Sequence, residues 1–133
     1  QLGTLSGHPV AAAAGLKSLE ILRRDGAYAT LRQNGETVIS HVHDTLGPTG
    51  IHYQIVGDPT LFEIVFTHAP PKNYRDVQRG NGQQAAVWNS VLRDHGVFES
   101  PSKTYPSLVL SNDDLDLTKE AMVQAAKVIA EKV

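Results

Sequence analysis

Residues 51–67 constrain the fold most, because they contain two β-prone runs separated by a turn of only four residues. Ile51 to Val56 and Leu61 to Thr67 are rich in β-branched and aromatic residues, and Gly57-Asp58-Pro59-Thr60 lies between them. Strands joined this closely pair antiparallel, since a parallel pair needs a crossover of about a dozen residues or more. The second run does not alternate cleanly, which predicts a strand covered on both faces and a partner for Glu63.

Two helical patterns precede this hairpin. Four consecutive alanines and leucines at every third position predict a helix from Val10 to Arg24, which ends at Asp25-Gly26. Apolar residues at helical spacing predict a second helix from Tyr28 to Leu46, which ends at Gly47-Pro48. Gly35, inside this second helix, indicates either close packing or a local break. We expect the two helices to form a hairpin that covers one face of the sheet.

The second half of the chain continues with mixed elements. His68 to Gln78 is polar and contains two prolines, which predicts a loop, and Gly82 to His95 has the spacing of a helix. Ser107 to Leu110 is predicted as a further strand, and a last helix is predicted from Asp113 to Lys132. No strand-helix-strand repetition is present. The order therefore predicts an α+β fold, with an antiparallel sheet of three to four strands covered by helices.

Composition excludes several classes of function. The 133 residues suffice for one domain, and 41% hydrophobic with 20% charged residues is ordinary for a globular protein. Uninterrupted apolar runs fall well short of the roughly 18 residues that a membrane-spanning helix requires. A net charge of −2 gives no electrostatic footprint for nucleic acid. The absence of cysteine removes disulfides and thiolate metal sites, and it suits a cytoplasmic protein.

Two groups of side chains resemble metal ligands, but helix geometry explains both. On a helix the rings of His41 and His43 point about 200° apart, so they cannot share an ion. Asp113, Asp114 and Asp116 fall at a helix start, where the dipole favours acidic residues, and no glycine-bearing calcium loop surrounds them. We therefore predict no metal site.

Other candidate residues also have structural explanations. The sequence lacks a Gly-x-Ser-x-Gly motif, so nothing supports Ser6 or Ser40 as a nucleophile. His95 lies near a predicted helix end, where packing or the helix dipole explains it better than a role as a base. Trp88 is predicted to anchor the core.

Residues 3–9 read Gly-Thr-Leu-Ser-Gly-His-Pro and lead directly into the first helix. Pro9 has no amide hydrogen and a fixed φ, which suits the first helical position and makes His8 the N-cap. A helix start presents unpaired amides and the positive end of the dipole, and two glycines with the hydroxyls of Thr4 and Ser6 complete a cradle for an anion. The loop predicts a phosphate site. An ordinary capping turn, which uses the same residue types, is the alternative.

Residues 3–11 closely resemble the Gly-Thr-Leu-Ser-Gly-Asn-Pro-Leu-Ala motif of class III (fold-type I) pyridoxal-phosphate aminotransferases, in particular the branch of glutamate-1-semialdehyde aminomutase. Further along, Phe66-Thr67, Pro70 and residues 73–76 resemble that branch's Phe-Thr-x-x-Pro-x-x-Asn-Tyr-x-Asp segment, and Ser100-Pro101-Ser102 resembles its Pro-Ser turn. The resemblance spans nearly the whole chain. His8 replaces the family's asparagine, which is the better N-cap residue.

The resemblance implies pyridoxal 5'-phosphate as cofactor and assigns Gly3 and Thr4 to its phosphate, which the threonine reaches in the neighbouring subunit of a homodimer. Residues 1–9 would form this loop at the dimer interface, and residues 10–133 would form the C-terminal small domain. The chain begins at Gln1 without a methionine, and about three hundred residues precede the motif in the family, a figure consistent with whole-domain sizes. Because those residues include the lysine that forms the Schiff base, no catalytic residue is expected in this chain.

The implied function is transfer of an amino group between an amino donor and a keto or aldehyde acceptor, with the remainder of the enzyme as partner. Glutamate-1-semialdehyde 2,1-aminomutase is an alternative, but its Gln-Phe-Glu-Ala-Gly segment is replaced here by Lys-Thr-Tyr-Pro-Ser at residues 103–107. A non-catalytic binding or assembly module of the same fold is a second alternative. Substrates of this enzyme class carry a carboxylate that a guanidinium binds bidentately, and Arg32, Arg75 and Arg79 are the candidates.

Overall fold

The computed structural model of the protein describes residues 3–131, and it has the predicted α+β architecture. In chain order its helices are α1 (Pro9–Leu22), α2 (Ala27–Leu46), α3 (Tyr74–Gln78), α4 (Gly82–Asp94) and α5 (Asn112–Glu131), and its strands are β1 (Gln54–Asp58) and β2 (Leu61–Val65). A single 3-10 turn over Gly47–Thr49 ends α2. Within residues 3–131, no helix is both long and apolar enough to cross a lipid bilayer.

The antiparallel hairpin is confirmed, with Gln54 opposite Val65 and Asp58 opposite Leu61. The sheet of the described residues has two strands rather than three to four. The strand predicted over Ser107 to Leu110 is wrong, because a turn forms there: the Val109 amide donates to the Ser107 hydroxyl over 3.3 Å. Val109 is 86% exposed, so its β-branched side chain meets no strand.

The first two helices form as predicted, but their packing does not follow the expectation. No residue of α1 is buried, and Leu16 and Leu19 are 70% and 54% exposed, so the predicted α1–α2 hairpin covering the sheet is wrong. Instead α2 packs against α5. The apolar spacing of α1 correctly indicated a helix, because that periodicity depends on the backbone alone. It could not indicate which surface covers the helix.

The core lies around α5, which packs against both α2 and α4. Phe62 and Phe66 extend it from the hairpin, and the Phe66 and Trp88 rings meet edge to face with centroids 6.1 Å apart. Trp88 is 2% exposed, which confirms it as a core anchor. The other buried apolar residues of this cluster are Val38, Val42, Leu46, Leu92, Ala121, Met122, Ala125, Ala126 and Ile129.

The segment predicted as a loop over His68 to Gln78 contains the short helix α3. Its N-cap Asn73 accepts hydrogen bonds from the amides of Arg75 (3.0 Å) and Asp76 (3.3 Å), and Asp76 accepts one from the Lys72 amide. This reciprocal capping starts a helix despite the preceding prolines. The last helix is confirmed from Asn112 onward, and its predicted end at Lys132 lies outside the described residues.

Candidate functional site

The turn before α1 depends on two glycines. Gly3 and Gly7 have φ values of 120° and 87°, a region that side chains with a Cβ rarely adopt. The Ser6 amide donates to the Gly3 carbonyl over 3.1 Å, and the His8 amide donates to the Leu5 carbonyl over 3.0 Å. The backbone of residues 3–8 therefore folds as two consecutive turns that leave the side chain of Thr4 exposed.

The start of α1 follows the sequence prediction. His8 is the N-cap with φ −59° and ψ 131°, and Pro9 occupies the first turn. The His8 side chain makes no capping hydrogen bond, in contrast to what asparagine would contribute at this position. Since the first amides of a helix have no intrahelical acceptor, those of Val10 and Ala11 remain available to a ligand. The first turn of α1 also contains no acidic residue that would neutralise the positive end of the helix dipole.

The two histidines of α2 are held apart, as helix geometry predicts. His41 is buried, and desolvation lowers its pKa; Lys119 lowers it further, while Asp44 and Asp116 oppose the shift. His43 is exposed, and its Nδ1 lies 2.7 Å from the hydroxyl oxygen of Tyr53.

The acidic residues at the start of α5 act as caps. Asp114 accepts hydrogen bonds from the Ser111 amide (2.8 Å) and hydroxyl (2.7 Å), and the Asp114 amide donates back to that hydroxyl. The bonds from Ser111 lower the pKa of Asp114. Asp113 shares this first turn, so the explanation by the helix start is confirmed.

His95 lies at the end of α4, where its Nδ1 is 2.8 Å from the Val91 carbonyl oxygen. Gly96 follows it with a φ of 85°, as expected for the residue after a helix C-cap. Ser40 lies on the exposed side of α2. His95 and Gly96 therefore end a helix, and Ser40 lies on the surface of one.

The three candidate arginines occupy different environments. Arg32 is paired with Asp58 through a 2.7 Å contact that links α2 to the end of β1. Arg75 lies in α3 and is exposed. Arg79 lies 3.4 Å from Asp76 and lines a cavity of about 460 Å³, so it has space for a ligand beside it.

A cavity of about 460 Å³ lies beside Arg79, and no sequence pattern predicted it. His52 and His68, which precede β1 and follow β2, stack at its wall with ring centroids 3.8 Å apart and planes inclined by 32°. The three side chains come from separate segments of the chain. No local spacing marks them as neighbours, and only the pairing of β1 with β2 brings the two histidines together.

Glu99, which was also not predicted as a functional residue, lies beside the confirmed turn of Ser100-Pro101-Ser102. Burial raises the pKa of Glu99 to about 7, although a 3.3 Å hydrogen bond from the Thr104 hydroxyl partly opposes the rise. An apolar groove of about 360 Å³, lined in part by Phe98, Tyr105 and Pro106, opens next to this carboxyl. In the sequence, the feature that could have marked Glu99 is its position between the apolar pair Val97-Phe98 and the turn at Pro101.

Comparison with known proteins gives a consistent set of relatives, although no family model matches the sequence. Glutamate-1-semialdehyde 2,1-aminomutase of Neisseria meningitidis serogroup A is 32% identical over 128 residues, which is 96% of this chain and 30% of that protein. Glutamate-1-semialdehyde 2,1-aminomutase 2 of Brevibacillus brevis is 32% identical over 130 residues, with the same coverage. The chain thus spans about 30% of the length of the curated relatives that it matches.

Solved structures share the fold. An omega-transaminase from Sphaerobacter thermophilus superimposes with a TM-score of 0.79 over 97% of this chain and 30% of its own, at 23% identity. A glutamate-1-semialdehyde aminomutase from Pseudomonas aeruginosa gives 0.71 over 80% of this chain and 24% of its own, at 17% identity. By sequence and by fold, the chain is similar to one part, about 30% of the length, of glutamate-1-semialdehyde 2,1-aminomutases and transaminases, and its α+β fold matches the C-terminal domain of class III (fold-type I) pyridoxal-phosphate enzymes.

Proposed function

We propose that this chain is the C-terminal part of a pyridoxal-phosphate-dependent aminotransferase that moves an amino group between an amino donor and a keto or aldehyde acceptor. The observation that carries the proposal is the turn of residues 3–8, which has the family's sequence and leads into the unopposed N-terminus of α1. The relatives are named as aminomutases and transaminases, and the chain aligns with them over nearly its whole length.

The residues of the turn fit a phosphate group. Gly3 and Gly7 carry no side chain to block approach to the backbone, and a Cβ on Gly7 would meet only open space. Thr4 offers an exposed hydroxyl as a donor. In the first turns of α1 the positive end of the dipole favours a negatively charged ligand. Phosphate satisfies all three features with one group.

When bound, pyridoxal phosphate supplies a ring that withdraws electrons from the substrate carbon. The part of this chain would be to hold the cofactor in place: the Thr4 hydroxyl would donate a hydrogen bond to the phosphate, and Gly3 would let the phosphate come close to the main chain. We assign the lysine that attaches the cofactor to the remainder of the enzyme.

We also propose a cytoplasmic homodimer in which the turn contacts the cofactor held mainly by the second subunit. Exposed apolar side chains near the turn support an interface with the remainder of the enzyme and with the second copy. Leu5, Val10, Leu16 and Leu19 are all more than half exposed in the chain alone. A surface of this kind is normally covered in the assembled protein.

The turn is tested by Thr4→Val in the full-length enzyme. Because the variant loses one hydrogen bond to a charged group, we expect the cofactor to bind about tenfold to a hundredfold more weakly. Thr30→Val, at an exposed position of α2, removes the same group elsewhere and is the matched control. The dissociation constant of pyridoxal phosphate is measured for both variants by equilibrium titration, and an unchanged constant for Thr4→Val would remove the role given to Thr4.

Aminomutase activity is the alternative, since the relatives at 32% identity carry that name. The segment of residues 103–107, which lacks the aminomutase sequence, is fastened to β2 through the Lys103–Glu63 ion pair and the Phe62–Thr104 bridge. This replacement favours transamination. Turnover of an amino substrate that requires an added keto acid would support the aminotransferase, whereas turnover of a single amino aldehyde without a second substrate would support the aminomutase.

A further inference from the structure

The cavity of about 460 Å³ lies where the end of α2, the entry to β1, the end of β2 and the start of α4 meet. Its described lining contains three basic side chains and no acidic one. Those basic side chains are His52, His68 and Arg79, and the remaining lining residues are Thr49, Gly50, Ile51, Phe66, Thr67, Asn81, Gln84 and Ala130.

The imidazole rings of His52 and His68 contact each other, and both residues are exposed. Their ring centroids are 3.8 Å apart, and they lie at neighbouring ends of the antiparallel strands, so the hairpin holds both rings at one wall. An anion beside the rings would accept a hydrogen bond from an imidazole N–H. A metal cation is disfavoured, because the Arg79 guanidinium on the same lining repels positive charge.

Arg79 brings a permanent charge to the cavity. Among residues 3–131 it forms an ion pair with Asp76, which is 3.4 Å away and does not line this cavity. Its side chain is 78% exposed, so the planar guanidinium has room to turn toward a ligand. Guanidinium groups bind carboxylate and phosphate oxygens bidentately, which gives this position its preference for an oxyanion.

Asn81 adds a directed donor at the start of α4. Its side-chain oxygen accepts the amides of Gln83 and Gln84, both over 3.1 Å. This capping fixes the oxygen toward the helix, so the amide nitrogen of the same group points away from it. A hydrogen-bond donor therefore accompanies the three basic groups on the lining.

We propose that this cavity is a binding site for a small oxyanion, a phosphate ester or a carboxylate, which Arg79 binds bidentately and which His52, His68 and Asn81 surround. None of these residues belongs to the turn before α1. The proposal depends only on this cavity and does not require the chain to bind pyridoxal phosphate.

The test uses the full-length protein saturated with pyridoxal phosphate, so that added anions cannot occupy an empty cofactor site. Inorganic phosphate and succinate are titrated separately by calorimetry at constant ionic strength, with chloride as the reference anion. We expect saturable binding of at least one of the two. Stronger binding of phosphate identifies a phosphate ester as the natural ligand class, and stronger binding of succinate identifies a carboxylate.

Single substitutions distinguish anion binding at this cavity from non-specific attraction to surface charge. Arg79→Gln should weaken anion binding about tenfold or more, since it removes a charged bidentate donor. His68→Gln should also weaken anion binding. Arg93→Gln removes an exposed arginine of α4 that lies outside the cavity lining, and it should leave the affinity unchanged. Absence of saturable binding by either anion, or equal affinities in Arg79→Gln and Arg93→Gln, would overturn the proposal. Far-ultraviolet circular dichroism confirms that each variant is folded.

Discussion

Gly35 of α2 lies directly against Pro59 of the turn between β1 and β2. A Cβ atom on Gly35 would be 1.9 Å from the Pro59 carbonyl oxygen and 2.6 Å from its carbonyl carbon. The contact joins a central helix to the hairpin through main-chain atoms alone. Of the two explanations that the sequence left open for this glycine, close packing is therefore confirmed, and α2 runs unbroken from Ala27 to Leu46.

Gly35→Ala should destabilise the fold, even though alanine favours helices. The added methyl group meets main-chain atoms rather than a flexible side chain, so the hairpin must move away from α2. We expect the free energy of unfolding to fall by about 1 to 3 kcal/mol or more, the scale for overpacking a tight contact. Urea unfolding followed by circular dichroism measures the change.

Gly15→Ala is the matched control for this prediction. Gly15 lies inside α1, and a Cβ there would meet nothing within 4 Å. The same substitution should therefore raise the free energy of unfolding by about 0.5 to 1 kcal/mol through helix propensity. Equal effects of the two substitutions would show that Gly35 and Pro59 are not in contact in solution.

The sequence predicts the helices and strands better than it predicts which of them pack together. Apolar spacing located α2, and the short turn between β-prone runs located the hairpin, because both signals are local. Which surface covers α1, and whether Ser107 to Leu110 forms a strand, depend on residues that are distant in the chain. Thr104, three residues before Ser107, forms an isolated bridge to Phe62 of β2, but the described residues from Ser107 to Leu110 do not pair with the sheet.

The candidate functional residues also divide into those that the sequence predicts and those that only the structure brings together. The turn at Gly3 and Thr4 could be predicted because the proposed phosphate site depends on contiguous residues and on a helix start. The cavity of His52, His68 and Arg79 was not, since its residues come together only after β1 pairs with β2 and α3 follows. The sequence carries no periodicity that links them.

Glu63 on β2 and Lys103 form an ion pair between the hairpin and the segment that precedes α5. Glu63 is the more buried partner, with 18% of its side chain exposed against 41% for Lys103. This pairing confirms that Glu63 requires a partner, as the covered strand predicted. The exposed lysine is screened by solvent, so the pair contributes modestly.

A double-mutant cycle with Glu63→Gln and Lys103→Gln should give a coupling free energy of about 0.5 to 1.5 kcal/mol, between the values for exposed and buried pairs. High salt should reduce it only in part, because Glu63 is partly shielded. Arg32 and Asp58, each about half exposed, form the comparison pair and should couple less strongly. A coupling of zero for Glu63 and Lys103 in unfolding experiments would contradict the contact.

Glu99 predicts a pH dependence of stability. Its pKa rises from 4.5 to about 7 because burial disfavours the charged form. Between these values the folded carboxyl keeps a proton that the unfolded chain has released, so the free energy of unfolding decreases as pH rises through this window. The decrease from this group reaches about 3 kcal/mol at most, and it stops above a pH of about 7.

Glu99→Gln keeps a neutral side chain at every pH and should remove this decrease, leaving the variant more stable than the native protein at pH 8. His41 has a lowered pKa and acts in the opposite direction, since the unfolded chain binds its proton more readily below pH 6.5. The contribution of His41 is common to both proteins and cancels in their difference, so the difference between the two unfolding curves reports Glu99 alone. Glu120→Gln, an exposed change on α5, should retain the native dependence, and a Glu99→Gln curve parallel to the native one would show that this carboxyl ionises normally.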